Sequence, residues 1–516
     1  MQTRLTSPSR ALIIALISIP IFVGALDLTV VSAVLPRVVT DLEIPPTRLN
    51  DAAWIVSGYL LAYTVAMTFM GRLSDLIGRR KVFLLALVIF AIGSYWVAIA
   101  DGWPTQLGLR ICYQFHIYPD PPRVALVMLI LGRVIQAFGG GAMVPVGMAL
   151  AGDLYPAAQR AKSLGIIAAV DTSGWVVGHL YGGILTRFFN WRLIFWLNLP
   201  MCLLAFILIA LILRGLARPA HEGSMDWLGA VLIALSLTAL NIGVGGSSQE
   251  TGAISGSAQG WFQRAWPFLA AALVLFILFL WRQVRLPFPL VQLPLFRRPN
   301  FSPATIANFF IGTSLFIAIA NVPLFINTLV AENLEQGAWD SGWMLSGLTV
   351  PMALASIPGG WLTVRYGYRR PALLGLLLAI GGFALMSRWQ MTTSYAAMTP
   401  DLILTGIGLG LTMAPIAAAA INTSPTQYRG TASALVIIFR LLGMLVSVST
   451  DATYGTHRFN YLSAKFLKTS NDLTLAGMAA TEKVIQETFL MAAVVCILAL
   501  IPVFLLKSTP SERNVK

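Results

Sequence analysis

Four stretches of the chain, 82–100, 193–213, 299–331 and 341–364, contain no aspartate, glutamate, lysine or arginine. About 18 or more consecutive apolar residues suffice to cross the hydrocarbon core of a bilayer as a helix. Composition agrees: 57% of the residues are hydrophobic and 11% charged, against roughly 25% charged in a soluble chain. At 516 residues the length would admit about three or four soluble domains of ~150 residues, but the distribution of charge rejects that. The chain reads as an all-α polytopic membrane protein.

Apolar segments are predicted at about 11–36, 52–71, 82–100, 127–150, 163–186, 193–213, 227–247, 265–281, 302–330, 341–364, 371–387, 402–423, 430–450 and 488–506, fourteen transmembrane helices in all. The first lies behind Arg4 and Arg10 and runs on to Pro36 without a cleavage site, so it is read as a span rather than a signal peptide. An even number of spans puts both termini on one side. Arginine and lysine concentrate in the short loops 72–81, 160–162, 214–218, 282–298 and 365–370, which makes that side the cytoplasm and the site a cell membrane. The net charge of +14 is thereby a topology signal, and no nucleic-acid partner is expected. Three cysteines, two of them within apolar spans, imply no disulfide framework, and four scattered histidines imply no metal site.

An internal repeat is visible. Gly71-Arg72-Leu-Ser-Asp75-Leu-Ile-Gly78-Arg79-Arg80 recurs as Gly360-Trp-Leu-Thr-Val-Arg-Tyr-Gly367-Tyr-Arg-Arg370, offset by 289. Pro156-Ala-Ala-Gln-Arg160 recurs as Pro425-Thr-Gln-Tyr-Arg429, offset by 269. The segment 101–123 is where the first half would hold its 20 extra residues. The expected organisation is an N-terminal six-helix bundle over 1–213, two additional spans with linkers over 214–298, and a C-terminal six-helix bundle over 299–516. Pseudo-symmetric halves with a site at their interface are a transporter architecture.

The same motifs resemble one family. Gly71 to Arg80 looks like the loop signature of the major facilitator superfamily, and Leu131-Gly-Arg133-Val-Ile-Gln136-Ala-Phe-Gly139-Gly140 is similar to its span-4 motif. Leu26-Asp27-Leu-Thr29-Val-Val-Ser-Ala-Val-Leu-Pro36 resembles the first span of the 14-span drug:proton antiporters, and Asn190-Trp-Arg192-Leu-Ile-Phe-Trp-Leu-Asn198-Leu-Pro200 their entry to span 6. The resemblance implies the major facilitator fold and covers about 20–450. One departure concerns the span-5 packing motif, Gly178-His179-Leu-Tyr-Gly182-Gly183, where His179 replaces the family's proline. The glycines still permit close helix approach, but the direction of transport loses its usual marker.

A charge within the bilayer costs at least ~2.5–3.5 kcal/mol on insertion scales, so each one needs a reason. Asp27 lies well inside span 1; a carboxylate away from water is disfavoured in its charged form, and the resemblance ties it to proton or cation coupling. Its structural alternative is a helix-ending residue at the outer mouth. Arg133 cannot titrate, and its implied role is to hold a carboxylate ionised until a proton or substrate displaces it; a static salt bridge is the alternative. Asp171 and Arg440 each lie 11 residues beyond the repeat anchors Arg160 and Arg429. They therefore occupy equivalent midplane depths, about 16 Å into their helices, with opposite charge. Against a coupling role for Asp171 stands a buried acid bonded to Ser173 or Trp175. Gly71, Arg72, Asp75, Gly78, Arg79 and Arg80 are assigned to a conformational latch, with simple topological anchoring as the alternative for the arginines. Trp54, Tyr59, Tyr63, Phe138, Trp175 and Tyr181 are candidates for an aromatic substrate cavity, although aromatics within spans more often face lipid or neighbouring helices.

No strand precedes the glycine clusters and no Gly-x4-Gly-Lys-Ser/Thr is present, so no ATP site and no cofactor are expected; the proton gradient would supply the energy. The expected activity is a proton-coupled secondary transporter, an exporter of hydrophobic or cationic compounds of the multidrug-efflux type. Its partners would be a small-molecule substrate, protons and the lipid bilayer, with a periplasmic adaptor left open. An exporter or importer of one metabolite is the alternative. A polytopic membrane enzyme would need a clustered nucleophile, acid–base pair or metal set, which the sequence lacks.

Overall fold

A computed structural model describes residues 10–44, 49–52, 54–154, 157–213, 225–245, 258–287, 289–331, 333–424, 429–470 and 472–507. The chain runs through α1 (Arg10–Asp41), α2 (Leu49–Ala52), α3 (Trp54–Ile77), α4 (Arg79–Ala98), α5 (Trp103–Gln114), α6 (Pro121–Leu154), α7 (Ala157–Phe188) and α8 (Arg192–Ile212). It continues through α9 (Trp227–Gly245), α10 (Ala258–Arg285), α11 (Phe301–Phe325), α12 (Leu334–Tyr366), α13 (Arg369–Met386), α14 (Tyr395–Asn422), α15 (Arg429–Ser470) and α16 (Leu473–Phe504). Helix is what charge-free segments must form in lipid, where an open sheet edge would leave polar backbone unsatisfied. Among the described residues, 13 helices are long and apolar enough to cross a membrane. A further long helix, α7, has 32 residues and holds Asp171 and the span-5 glycines.

The helices form two pseudo-symmetric bundles. In the first, α1 packs on α7, and α6 on α3 and α4; in the second, α11 packs on α15, and α14 on α12 and α13. Close approaches superimpose the repeats residue by residue. A Cβ on Gly141 would strike the Tyr63 carbonyl, and one on Gly410 the Met352 carbonyl. Gly174 meets the Phe22 carbonyl as Gly443 meets that of Phe309. The turns after α3 and α12 are made by Gly78 and Gly367, with φ of 99° and 79°, a region costly for any residue with a Cβ. These two are 289 apart in sequence, the offset of the repeated motif.

The two additional helices sit beside the junction of the bundles, α9 touching α10, α3 and α15. Asp226 fastens the start of α9 to the end of α10. It accepts from the Gly229 backbone N–H at 2.8 Å, Gln283 Nε2 at 2.8 Å and Arg282 Nε at 2.6 Å. Between the bundles, α7 packs on α12 and α3 on α15. At the C-terminal end of α7, Phe188 meets the Trp339 ring edge-on at 6.1 Å, and Arg187 lies over that ring at 4.9 Å.

The residues between the spans expected at 430–450 and 488–506 read as one long loop, 451–487, and the structure corrects this: α15 runs unbroken for 42 residues to Ser470 and α16 begins at Leu473. At ~1.5 Å per residue α15 is about 63 Å long, roughly twice the hydrocarbon thickness of a bilayer. The two helices therefore continue beyond the membrane as a hairpin. Leu462, Ala480, Val484 and Phe466 form its small apolar core. Arg458 grips both oxygens of Glu487 at 2.7 and 2.8 Å, Tyr454 Oη donates to the same carboxylate, and Asp472 caps α16. Hydropathy misses such a segment because its helices bury only one thin stripe.

Candidate functional site

The first cluster lies inside the N-terminal bundle. Asp27 on α1 and Arg133 on α6 are 0% and 1% exposed, and Arg133 Nη1 donates to Asp27 Oδ2 at 2.5 Å while Nη2 reaches the Asp27 backbone carbonyl at 3.2 Å. Gln136, one helical turn after Arg133, accepts from Nη1 at 2.6 Å and donates to Asp27 Oδ1 at 3.0 Å and to Ser94 Oγ at 2.7 Å. Asn198 on α8 donates weakly to the same two acceptors, each at 3.3 Å. The Tyr59 ring lies 3.9 Å from the guanidinium carbon of Arg133, a cation–π cover on the face of the arginine. Both carboxylate oxygens are thus occupied, which is the condition for keeping a buried charge.

The second cluster joins the two bundles. Asp171 on α7 and Arg440 on α15 are both buried, and Arg440 Nη2 stands 4.0 Å from Asp171 Oδ2. The Arg440 guanidinium also lies 4.9 Å from the Trp175 ring centroid, and Nη1 is 3.2 Å from Met413 Sδ. The contact between Asp171 and Arg440 is long and single, whereas Asp27 and Arg133 are densely bonded. Three turns further along α15, Asp451 accepts from Asn321 Nδ2 on α11 at 2.7 Å.

The repeat relation exposes an asymmetry. The offsets set by the glycine contacts place Ser314 opposite Asp27, Leu402 opposite Arg133 and Thr405 opposite Gln136. The acid–arginine knot is a property of the N-terminal bundle, while the pair at 171 and 440 is shared between the bundles.

The other sequence candidates divide. Gly71, Gly78, Arg79 and Arg80 gather at the α3–α4 turn: Ser74 Oγ donates to the Gly71 carbonyl, Arg79 Nη1 donates to Ser74 Oγ at 2.6 Å, and Arg80 Nη2 donates to the Ala210 carbonyl near the C-terminal end of α8 at 2.7 Å. These described contacts stay within the N-terminal bundle. Arg72 lies in the last two turns of α3; the side chains of Asp75 and His179 lie outside the described residues. Gly178 faces α1, where a Cβ would overlap the Thr29 side chain and the Leu26 carbonyl; Gly182 and Gly183 are buried on the same helix. Of the aromatics, Tyr59 stacks on Tyr63 at 5.8 Å and Trp175 covers Arg440. Phe138 belongs instead to a row through Phe69 to Trp227 on α9, Tyr181 packs on the apolar cluster around α1 and α8, and Trp54 packs beside Gly58. Ser94, Gln136 and Asn198 had no assigned role from sequence, although Ser94 and Asn198 are polar residues within charge-free runs.

The approach at Gly178 yields a first prediction. Gly178→Val should force α7 off α1 and cost more than the ~1–3 kcal/mol of ordinary overpacking, because the obstruction includes backbone. The melting temperature of the purified protein should fall and transport should be lost; an unchanged melting temperature would show that the two helices separate freely.

The Major Facilitator Superfamily model matches residues 17–448. A triacylglyceride transporter of Mycolicibacterium smegmatis is 30% identical over 516 residues, covering 95% of this chain and 86% of that protein. A probable triacylglyceride transporter of Mycobacterium leprae is 30% identical, with 99% and 98% covered. Among solved structures, a bacterial homologue of the human lysosomal transporter Spinster superposes with a TM-score of 0.59 at 17% identity, covering 98% of this chain and all of that one. A D-xylose–proton symporter gives 0.59 at 16% identity, with 98% and 99% covered.

Proposed function

The chain belongs to the Major Facilitator Superfamily, and from that premise we propose that it is a proton-coupled exporter of a hydrophobic, uncharged compound of the triacylglyceride type. Its termini lie in the cytoplasm of a cell-membrane protein, as the basic short loops favour. The observation that carries the coupling is the pair of buried acid–arginine contacts, one inside a bundle and one across the bundles. Protonation of Asp171 removes the attraction that holds Arg440 against α7, and the α7–α15 contact is then free to open. Asp27, held by Arg133, Gln136 and Asn198, takes up or releases the proton as the bundles rock. No ATP and no cofactor enter the cycle.

Charge balance and the names of the relatives support this substrate class. Asp27 and Asp171 each already face an arginine, so a cationic drug would have to displace a guanidinium to reach either of them. A neutral lipid need not, and the curated relatives at 30% identity are named for triacylglyceride. Proteoliposomes under an imposed pH gradient, loaded in parallel with a fluorescent triacylglyceride and a lipophilic cationic dye, test the reading. Gradient-dependent movement of the triacylglyceride, with the dye moved at least tenfold more slowly, is expected. Movement of the dye alone would return the protein to multidrug efflux.

A further inference from the structure

The segment 101–123 is no plain loop: it carries α5, a helix whose three faces differ. Pro104, Thr105 and Gly108 are buried, and a Cβ on Gly108 would come within 2.7 Å of Val124 on α6. Trp103 packs edge-on against Trp96 of α4 at 5.3 Å, and Trp96 Nε1 donates to the Met128 carbonyl of α6 at 3.0 Å. The helix is therefore fastened across the ends of two membrane spans. Beside the buried face lies an exposed apolar arc, Trp103, Leu107 and Ile111, at 46%, 44% and 49% exposure and at four-residue spacing, one side of a helix. On the other side of Trp103 the exposed surface turns polar with Gln106 and Arg110, and the exposed Tyr113 lies at its edge.

What covers the apolar arc is set by where the helix is tied. Four residues join α4 to α5, a reach of at most about 14 Å, so α5 stays at the level where its neighbours leave the hydrocarbon. Those neighbours expose Tyr95 on α4 and Val127 and Leu131 on α6 to lipid, and the arc continues their apolar surface. An apolar face, a polar face with arginine, and aromatic residues at the rim are the pattern of a helix lying in the headgroup boundary.

We propose that α5 is a membrane-interface helix, with Trp103, Leu107 and Ile111 sunk among the acyl chains of the leaflet at that end and Arg110 among the phosphates. It holds the N-terminal bundle at a set depth while the other bundle moves. The test uses the full chain with Cys112→Ser, since Cys202 and Cys496 are buried, in vesicles of phosphatidylcholine and phosphatidylglycerol. Nitroxide labels on Leu107→Cys, Ile111→Cys, Gln106→Cys and Arg110→Cys are read for collision with oxygen and with a water-soluble nickel chelate. Labels at 107 and 111 should favour oxygen severalfold, and those at 106 and 110 the chelate. Chelate access equal at all four sites would place the helix in water. Shielding of 107 and 111 from both reagents would mean that a protein surface covers the arc, and oxygen preference at all four would mean a submerged segment; each result overturns the proposal.

Discussion

Replacing Asp27 by asparagine is expected to abolish gradient-driven transport and also to destabilise the protein. The titratable group is gone, so flux should fall at least tenfold, about 1.4 kcal/mol or more in barrier terms. The substitution also leaves Arg133, 1% exposed, without its counter-charge, and breaking a buried pair from one side costs about 3–5 kcal/mol. Loss of activity in the single variant would therefore not separate coupling from folding. The double variant Asp27→Asn with Arg133→Met does, because replacing both charges by groups of similar volume is close to neutral for stability. Its melting temperature should recover towards that of the native protein while flux stays lost. Recovery of both would make the pair structural.

Asp171→Asn and Arg440→Gln should each impair transport more than they impair expression. The contact spans the bundles at 4.0 Å, so its energy is spent on the equilibrium between conformations rather than on either bundle's fold. A double-mutant cycle on transport rate should give a coupling of about 0.5–3 kcal/mol, with the double variant less harmed than the sum of the singles. Strictly additive losses would show that the two charges answer to different partners.

The span pattern and the repeat were legible because lipid imposes them: charge-free runs and glycines at fixed offsets leave marks in sequence. The equivalence of Asp171 and Arg440 followed from those offsets, and the structure brings them face to face. The knot at Asp27 was only half legible. Its charges stand out in apolar spans, but Ser94, Gln136 and Asn198 come from separate helices and converge only when α4, α6 and α8 pack. The extension of α15 and α16 was hidden for a different reason. Its 451–487 segment is polar in composition, and the stripe formed by Leu462, Val484 and Ala480 is too thin to read against Arg458, Lys465 and Lys468. Phe138 shows the converse limit: an aromatic beside the span-4 arginine in sequence points to a row leading to α9 in space.

Proton movement itself tests the central claim most directly. Proteoliposomes holding the protein and a lumenal pH indicator, given a substrate gradient and no initial pH gradient, should change lumenal pH as substrate moves. Protons should run opposite to the substrate, and Asp27→Asn with Arg133→Met should abolish the change. Substrate flux at full rate with no change in lumenal pH would contradict the account.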